Sequence, residues 1–189
     1  MRYNAGMIPI VQNGDPVLRK KAAEVPERDI GTPKLKKVLK DMAEALDSQD
    51  DGVAIAAPQI GVSLRIFLIS KAALSMPEKL EERRDMEGRR EAKRKAGYLT
   101  FINPRITKLS REKATLDEGC LSVRPLYGKI RRSKKASVKA LDENGVPFER
   151  GGSGLLAQIF QHETDHLDGI LFIDKATDVQ EMPQATSDH

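Results

Sequence analysis

The sequence predicts a mixed α+β domain in which antiparallel sheets pack around a central helix. Three observations carry that expectation. Strand-like apolar runs and two amphipathic helical segments occur without regular alternation, which argues against a doubly wound parallel sheet. One pair of strand-like runs is joined by a hairpin turn, the mark of antiparallel pairing. The second helical segment carries Gln161-His162-Glu163-Thr164-Asp165-His166, an H-E-x-x-H string set on an apolar stripe.

Taken in order, Thr32-Pro33 followed by Leu35, Val38, Leu39, Met42 and Leu46 reads as a capped amphipathic helix ending near Ser48. Asp50-Asp51-Gly52 breaks it. Leu64–Ile69, Tyr98–Ile106 and Lys134–Leu141 are strand-like, and Asp142-Glu143-Asn144-Gly145 turns the last of these into Val146–Glu149. Gly151-Gly152-Ser153-Gly154 is a flexible entry to the second helix, with Ser153 as candidate N-cap and Gly169 as stop. A charged insertion at about 77–97 interrupts the pattern, with eight basic and six acidic side chains between Pro77 and Lys95. Ser75-Met76-Pro77-Glu78 resembles a capping box, so a solvated helix and a disordered segment are both open readings. Residues from about 176 to 189 form a polar tail. No repeat or second domain is visible, so the 189 residues read as one domain.

Composition narrows the function classes. A formal net charge of +4 is only mildly basic, which does not suggest specific DNA binding. Arg83, Arg84, Arg89, Arg90, Lys93, Arg94 and Lys95 are candidates for a transient ribosome contact, although the interleaved acids argue against strong phosphate binding. A single cysteine excludes an intramolecular disulfide and suits a reducing compartment. No apolar run approaches the roughly 20 residues of a membrane span. The first nine residues are too short and polar for a secretory signal. These features are consistent with a cytoplasmic protein that has no membrane partner.

The H-E-x-x-H string carries the chemistry. Helical residues turn by roughly 100° each, so His162 and His166 lie about 40° apart on one face and can share an ion. Glu163 points about 100° away from His162, unsuited to be a third ligand but placed to take a proton from a water at the metal. Such strings also occur by chance on surface helices. Here Leu155 and Ile159 share the histidine face, so the imidazoles continue an apolar stripe and need partners.

A catalytic site of this kind normally has three protein ligands. A third histidine six residues on fails, because Phe172 stands there. Asp174, Asp178 and Glu181 are weak candidates, lying in or near the polar tail. Cys120, the only cysteine, follows a glycine in Glu118-Gly119-Cys120-Leu121-Ser122. The bland reading of a lone cysteine is a small buried apolar residue. A thiolate with two imidazoles is nonetheless a sound set for a divalent transition ion.

Three separated blocks now resemble the signature motifs of the peptide deformylase family. They are Gly52-Val53-Ala54-Ile55-Ala56-Ala57-Pro58-Gln59, then Glu118–Ser122, then Gln161–Leu167, and the likeness runs roughly from Ile8 to Asp174. The resemblance implies a metal-dependent hydrolase that removes the N-formyl group from N-formylmethionyl nascent peptides and releases formate. It implies Cys120, His162 and His166 as ligands of one divalent ion, iron(II) natively, with zinc, nickel or cobalt as alternatives. It also implies Glu163 as general base, with the Gln59 amide and the Leu121 N–H as oxyanion donors.

For the methionine pocket the candidates are Val53, Leu116, Leu155 and Ile159, with Glu118 at the edge. The backbone near Ala54 and Ile55 is the candidate for pairing with an extended peptide. Ala54 and Ile55 depart from the glycine and leucine usual in the first motif, Arg124 stands where proline is common, and Gln158 where an apolar residue is common. The resemblance further places Arg132 opposite Asp165, which predicts an ion pair tying the metal helix to the segment that begins with Cys120. Two competing readings remain at this stage: a metalloendopeptidase, which would take a histidine or carboxylate as third ligand, and a non-catalytic metal-binding homologue.

Overall fold

The computed structural model describes residues 8–75 and 86–181. Its elements in chain order are helix α1 (Pro33–Asp47), strands β1 (Ala54–Ala56) and β2 (Ile66–Ser70), helices α2 (Lys71–Ser75) and α3 (Met86–Ala96), strands β3 (Tyr98–Leu109), β4 (Lys113–Gly119), β5 (Leu126–Ser133), β6 (Lys135–Leu141) and β7 (Pro147–Ser153), helix α4 (Leu155–Leu167) and strand β8 (Thr177–Glu181). One sheet has the order β1-β2-β3-β6-β7 and a second has β4-β5-β8. Every pairing between these strands is antiparallel, as the hairpin signal predicts.

Strand β2 explains how the larger sheet is covered. All five of its residues are buried. Successive strand side chains point to opposite faces. Phe67 and Ile69 enter a core with Ala157, Ile159 and Phe160 of α4, whereas Ile66 and Leu68 enter a core with Leu35, Met42 and Leu46 of α1. The sheet is therefore apolar on both faces, with α1 on one and α4 on the other. Phe67 and Phe101 stack with ring centroids 4.5 Å apart, and Phe160 meets Phe101 edge-on at 5.5 Å. These rings seat α4 against β2 and β3.

Local chemistry sets the ends of both helices. Thr32 caps α1, its hydroxyl accepting from the Leu35 N–H at 3.3 Å, and Pro33 follows at the first helical position. At the start of α4 the N-cap is Gly154, not Ser153, which is the last residue of β7. Gly154 has φ +55°, a turn a side chain would resist, so the strand passes straight into the helix. Gly169 ends α4 as expected, with φ +75°, and an added Cβ there would lie 2.7 Å from the Arg19 carbonyl oxygen.

Two segments differ from the sequence expectation. Residues 86–96 of the charged segment form α3, and Lys93 turns inward towards the end of α1 while Arg94 reaches Asp47 from the surface. Lys93 is buried and so leaves the solvated face, whereas Arg94 stays exposed while it pairs with Asp47. The candidate capping box at Ser75–Glu78 continues beyond the described residues, and Arg83 and Arg84 lie outside them. The polar tail begins with β8, which pairs with β5 and so belongs to the sheet. Strands β1, β4, β5 and β8 had no clear periodic signal, being short or largely polar.

The smaller sheet is joined to α4 by a buried charge cluster. Arg132 on β5 is 5% exposed. It donates to Glu118 on β4 through Nε at 3.1 Å and Nη2 at 2.7 Å, and to Asp165 on α4 through Nη1 at 2.6 Å. Lys175 reaches the other Asp165 oxygen at 2.7 Å. The predicted Asp165–Arg132 pair is thus present, and Glu118 completes it. Gln161 adds a neutral tie, accepting from the Ser133 N–H at 2.9 Å and donating to the Ser133 carbonyl at 3.0 Å.

Removing one member of a buried pair leaves an uncompensated charge and costs about 3–5 kcal/mol. Arg132→Met, which strands two carboxylates together, is expected to fall in that range. Asp165→Asn keeps an acceptor and leaves the Glu118 contacts intact, so a loss of about 1–2 kcal/mol is expected. For a chain of this size each kcal/mol lowers the melting temperature by about 2–4 °C. Thermal unfolding of metal-loaded protein measures both. An Asp165→Asn variant with unchanged melting temperature and metal affinity would remove the strut from this account.

Candidate metal centre

Helix α4 presents His162 and His166 one turn apart, and the end of β4 brings Cys120 against them. The three ligand atoms lie within 4.8 Å of one another. The two Nε2 atoms are 3.1 Å apart, and Cys120 Sγ is 3.1 Å from His166 Nε2. Metal–nitrogen bonds of about 2.0–2.1 Å at a tetrahedral angle give nitrogen–nitrogen spacings of about 3.3 Å. The cluster is thus already close to a coordination shell in size. Asp174, Asp178 and Glu181 take no part. Asp174 instead pairs with Arg19 at 2.5 Å, and β8 is exposed throughout.

The tautomers fit the same purpose. His162 Nδ1 donates to Glu118 Oε1 at 2.6 Å, which fixes the ring with Nε2 turned to the cluster, where a metal would take the place of a proton. The Ser122 N–H points at Cys120 Sγ from 3.4 Å and the Gln59 amide from 3.6 Å, and both complement a thiolate. Burial disfavours a charged His162, but its bonds to Cys120 and Glu118 outweigh this and hold its pKa well above the ordinary value. Burial and the neighbouring His162 push His166 well below. A thiol sulfur and two imidazole nitrogens gathered at one point match the donor preferences of a divalent transition ion. The donor set fits one metal ion.

Glu163 sits beside the ligands and is 3% exposed. Burial raises its pKa to about 7, with the nearby Glu118 charge adding to the effect and His162 opposing it. Its Oε2 has no hydrogen-bond partner among the described residues. Gln59 lies in a short 3-10 turn, Ala57–Ile60. Its Oε1 accepts from the Ala56 N–H at 2.8 Å, and its amide nitrogen donates to Ser122 Oγ at 3.2 Å and faces Cys120. The side chain is locked, with its donor end turned to the metal ligands. Among the described residues none accepts the Leu121 N–H.

A cavity of about 430 Å³ opens onto this cluster, within the usual range for small-ligand sites. Val53, Ala54, Leu155, Ile159, Gln59, Leu121 and Glu163 line it as expected. Leu116, expected in the wall, does not, and Ile55, expected to act through its backbone, turns its side chain elsewhere. Ile55 alternates away from Ala54 and Ala56 and is fully buried in the core beneath α1. Leu116 shares the inner face of β4 with Glu118 but stands one pleat further from Cys120, beyond the cavity wall.

Glu118 contributes to that wall but does more than edge a pocket. Its carboxylate takes two bonds from Arg132, one from His162 and one from Gln158 at 3.3 Å. Leu126, Tyr127 and Pro125 also line the cavity, as does an ion pair between Asp51 and Arg124 that spans its mouth. Only Arg124 and Gln158 carried a sequence signal, as departures from the family pattern. Pro125, Leu126 and Tyr127 are set by the course of the chain after Cys120, and Asp51 by the turn that follows α1.

Comparisons with known proteins agree with the geometry. A sequence model of the polypeptide deformylase family matches residues 7–182. Peptide deformylase of Acidothermus cellulolyticus is 41% identical over 167 residues, which is 88% of this chain and 77% of that protein. Peptide deformylase 1A of Solanum lycopersicum, a chloroplast protein, is 36% identical over 169 residues, 89% of this chain. This chain spans 59% of that plant relative but 91% of peptide deformylase 2 of Clostridium acetobutylicum, at 36% identity over 87% of this chain. The crystal structure of peptide deformylase from Thermotoga maritima superposes with a TM-score of 0.72 at 34% identity, over 90% of this chain and 98% of that one. An actinonin-bound class I type b peptide deformylase from Acinetobacter baumannii gives 0.74 at 29% identity, over 92% and 100%. On the match over residues 7–182 and these relatives, this chain belongs to the peptide deformylase family.

Proposed function

We propose that this chain is a peptide deformylase, hydrolysing the formamide of N-formylmethionyl nascent peptides to formate and a free amino terminus. The observation that carries the reading is the convergence of Cys120, His162 and His166 with Glu163 and Gln59 at the end of one cavity. The ion, when bound, supplies a Lewis acid that makes a water acidic and polarises the formyl carbonyl. Cys120, His162 and His166 would hold it, with iron(II) as the native ion and zinc, nickel or cobalt as replacements.

The rest is done by side chains and backbone. Glu163 takes a proton from the attacking water at its unpartnered carboxylate oxygen, and later gives it to the leaving amine nitrogen. Gln59 Nε2 and the Leu121 N–H would bond to the formyl oxygen as it gains negative charge. Gln59 needs no reorganisation for this, because the Ala56 N–H already fixes its rotamer. Val53, Ile159 and Leu155 offer an apolar wall for an unbranched side chain such as methionine. Strand β1 lies at the edge of its sheet, so an extended peptide can add beside Ala54 through backbone bonds alone. That mode accepts many sequences, as nascent chains require. Helix α4 is then the central element that both sheets surround. No helix among the described residues is long and apolar enough to cross a membrane, and we place the enzyme in the cytoplasm with nascent chains as partners.

Glu163→Gln preserves shape and the ligand set but removes the proton acceptor. Formate release from an N-formylmethionyl tripeptide is expected to fall by about 10²–10⁴-fold with metal content unchanged. Retention of more than a tenth of wild-type activity would remove Glu163 from the proposed role. Chelation should abolish formate release. Restoring the protein anaerobically with iron(II) is expected to recover more activity than zinc. Full activity with zinc alone would contradict iron as the native ion. Metal binding without formate release by any of these ions would identify a non-catalytic homologue.

A further inference from the structure

We propose that Lys93, on insertion helix α3, is a positioning residue for the substrate cleft, fixing the loop from Gln49 to Val53 that forms one rim of the cavity. Its substrate rests on the deformylase reading; its geometry does not. Lys93 is 2% exposed although it lies on a strongly charged helix. An ammonium group is buried only where bonds replace its hydration. Its Nζ donates to the Gln49 carbonyl at 2.6 Å and reaches the Asp50 carbonyl at 3.5 Å. Both carbonyls stand just past the end of α1, where aligned peptide dipoles concentrate negative potential.

The surroundings reinforce the clamp. Asp47, the last residue of α1, accepts from the Tyr98 hydroxyl and faces Arg94 at 3.6 Å. The insertion helix and the start of β3 therefore grip the end of α1 together.

The consequence appears one to four residues further along. Asp51, Gly52, Val53 and Ala54 line the cavity, and the Val53 carbonyl accepts from the Ser70 N–H at 2.9 Å. The rim is thus held behind by Lys93 and ahead by β2. Across the mouth it meets Arg124 through Asp51, but those side chains are 41% and 60% exposed and solvent screens them. The buried ammonium is the stronger anchor. A peptide adding along β1 must pass this rim, so the insertion acts on substrate binding without touching substrate.

The test compares metal-loaded wild type, Lys93→Met and Lys93→Gln, using formate release from an N-formylmethionyl tripeptide and amide exchange of residues 49–54. Lys93→Met is expected to raise KM about tenfold, with kcat within about twofold, unchanged metal content and faster exchange in the loop. Lys93→Gln keeps a donor and should change both readouts less. Unchanged KM and loop exchange would overturn the proposal. So would a loss of kcat and metal with KM unchanged, since that marks a general stabilising role. If Lys93→Met does not fold, Lys93→Gln carries the same comparison. If wild type releases no formate, the deformylase reading falls and loop exchange in the variants alone decides the role of Lys93.

Discussion

One buried carboxylate sets the terms for the rest of this structure. Glu118 is 4% exposed, and every lone-pair direction it offers is used, by Arg132, His162 and Gln158. An ionised group at that depth is tolerable only when its bonds replace water almost completely. Those bonds come from different parts of the chain, so satisfying Glu118 forces β4, β5 and α4 into one arrangement. Orientation of the His162 ring is a by-product of the same requirement. Electrostatic need and metal geometry are thus met by one set of contacts.

The apolar layers make that arrangement rigid. Because β2 buries both faces, the larger sheet cannot slide relative to α1 or α4 without opening a core on one side or the other. Phe67, Phe101 and Phe160 fix the depth of α4, and the Arg132 cluster fixes its rotation. Apolar packing is strong but indifferent to direction, whereas a charged hydrogen bond is weak in net terms and demanding in geometry. The histidine-bearing face of α4 needs both kinds of constraint.

Much of this was legible in the sequence, and the division has physical causes. Helix α1 announced itself through Thr32-Pro33 and its apolar spacing, and the β6–β7 hairpin through Asp142–Gly145. The pairing of His162 with His166 was legible because coordination chemistry restricts both residue type and spacing, whereas Cys120 as their partner came from the family resemblance. Strands β4 and β5 were not, since their partners supply the burial that their own residues do not advertise. Leu116 was misplaced for a related reason. A strand reveals which residues share a face, but not where along it the cavity ends. The four bonds at Glu118 could not be read because they depend on contacts between segments up to 44 residues apart.

Strand β8 gives the domain a particular order of assembly during synthesis. It pairs with β5 across about 50 residues, and everything between them, including both histidines, leaves the ribosome first. The sheet that carries Cys120 to the metal helix therefore keeps an open edge until residues 177–181 emerge. Contacts this distant in sequence form slowly, because the intervening loop must close before they contribute. The ligands thus converge later than helix α1 and the first strands form, which separates metal capture in time from those first steps.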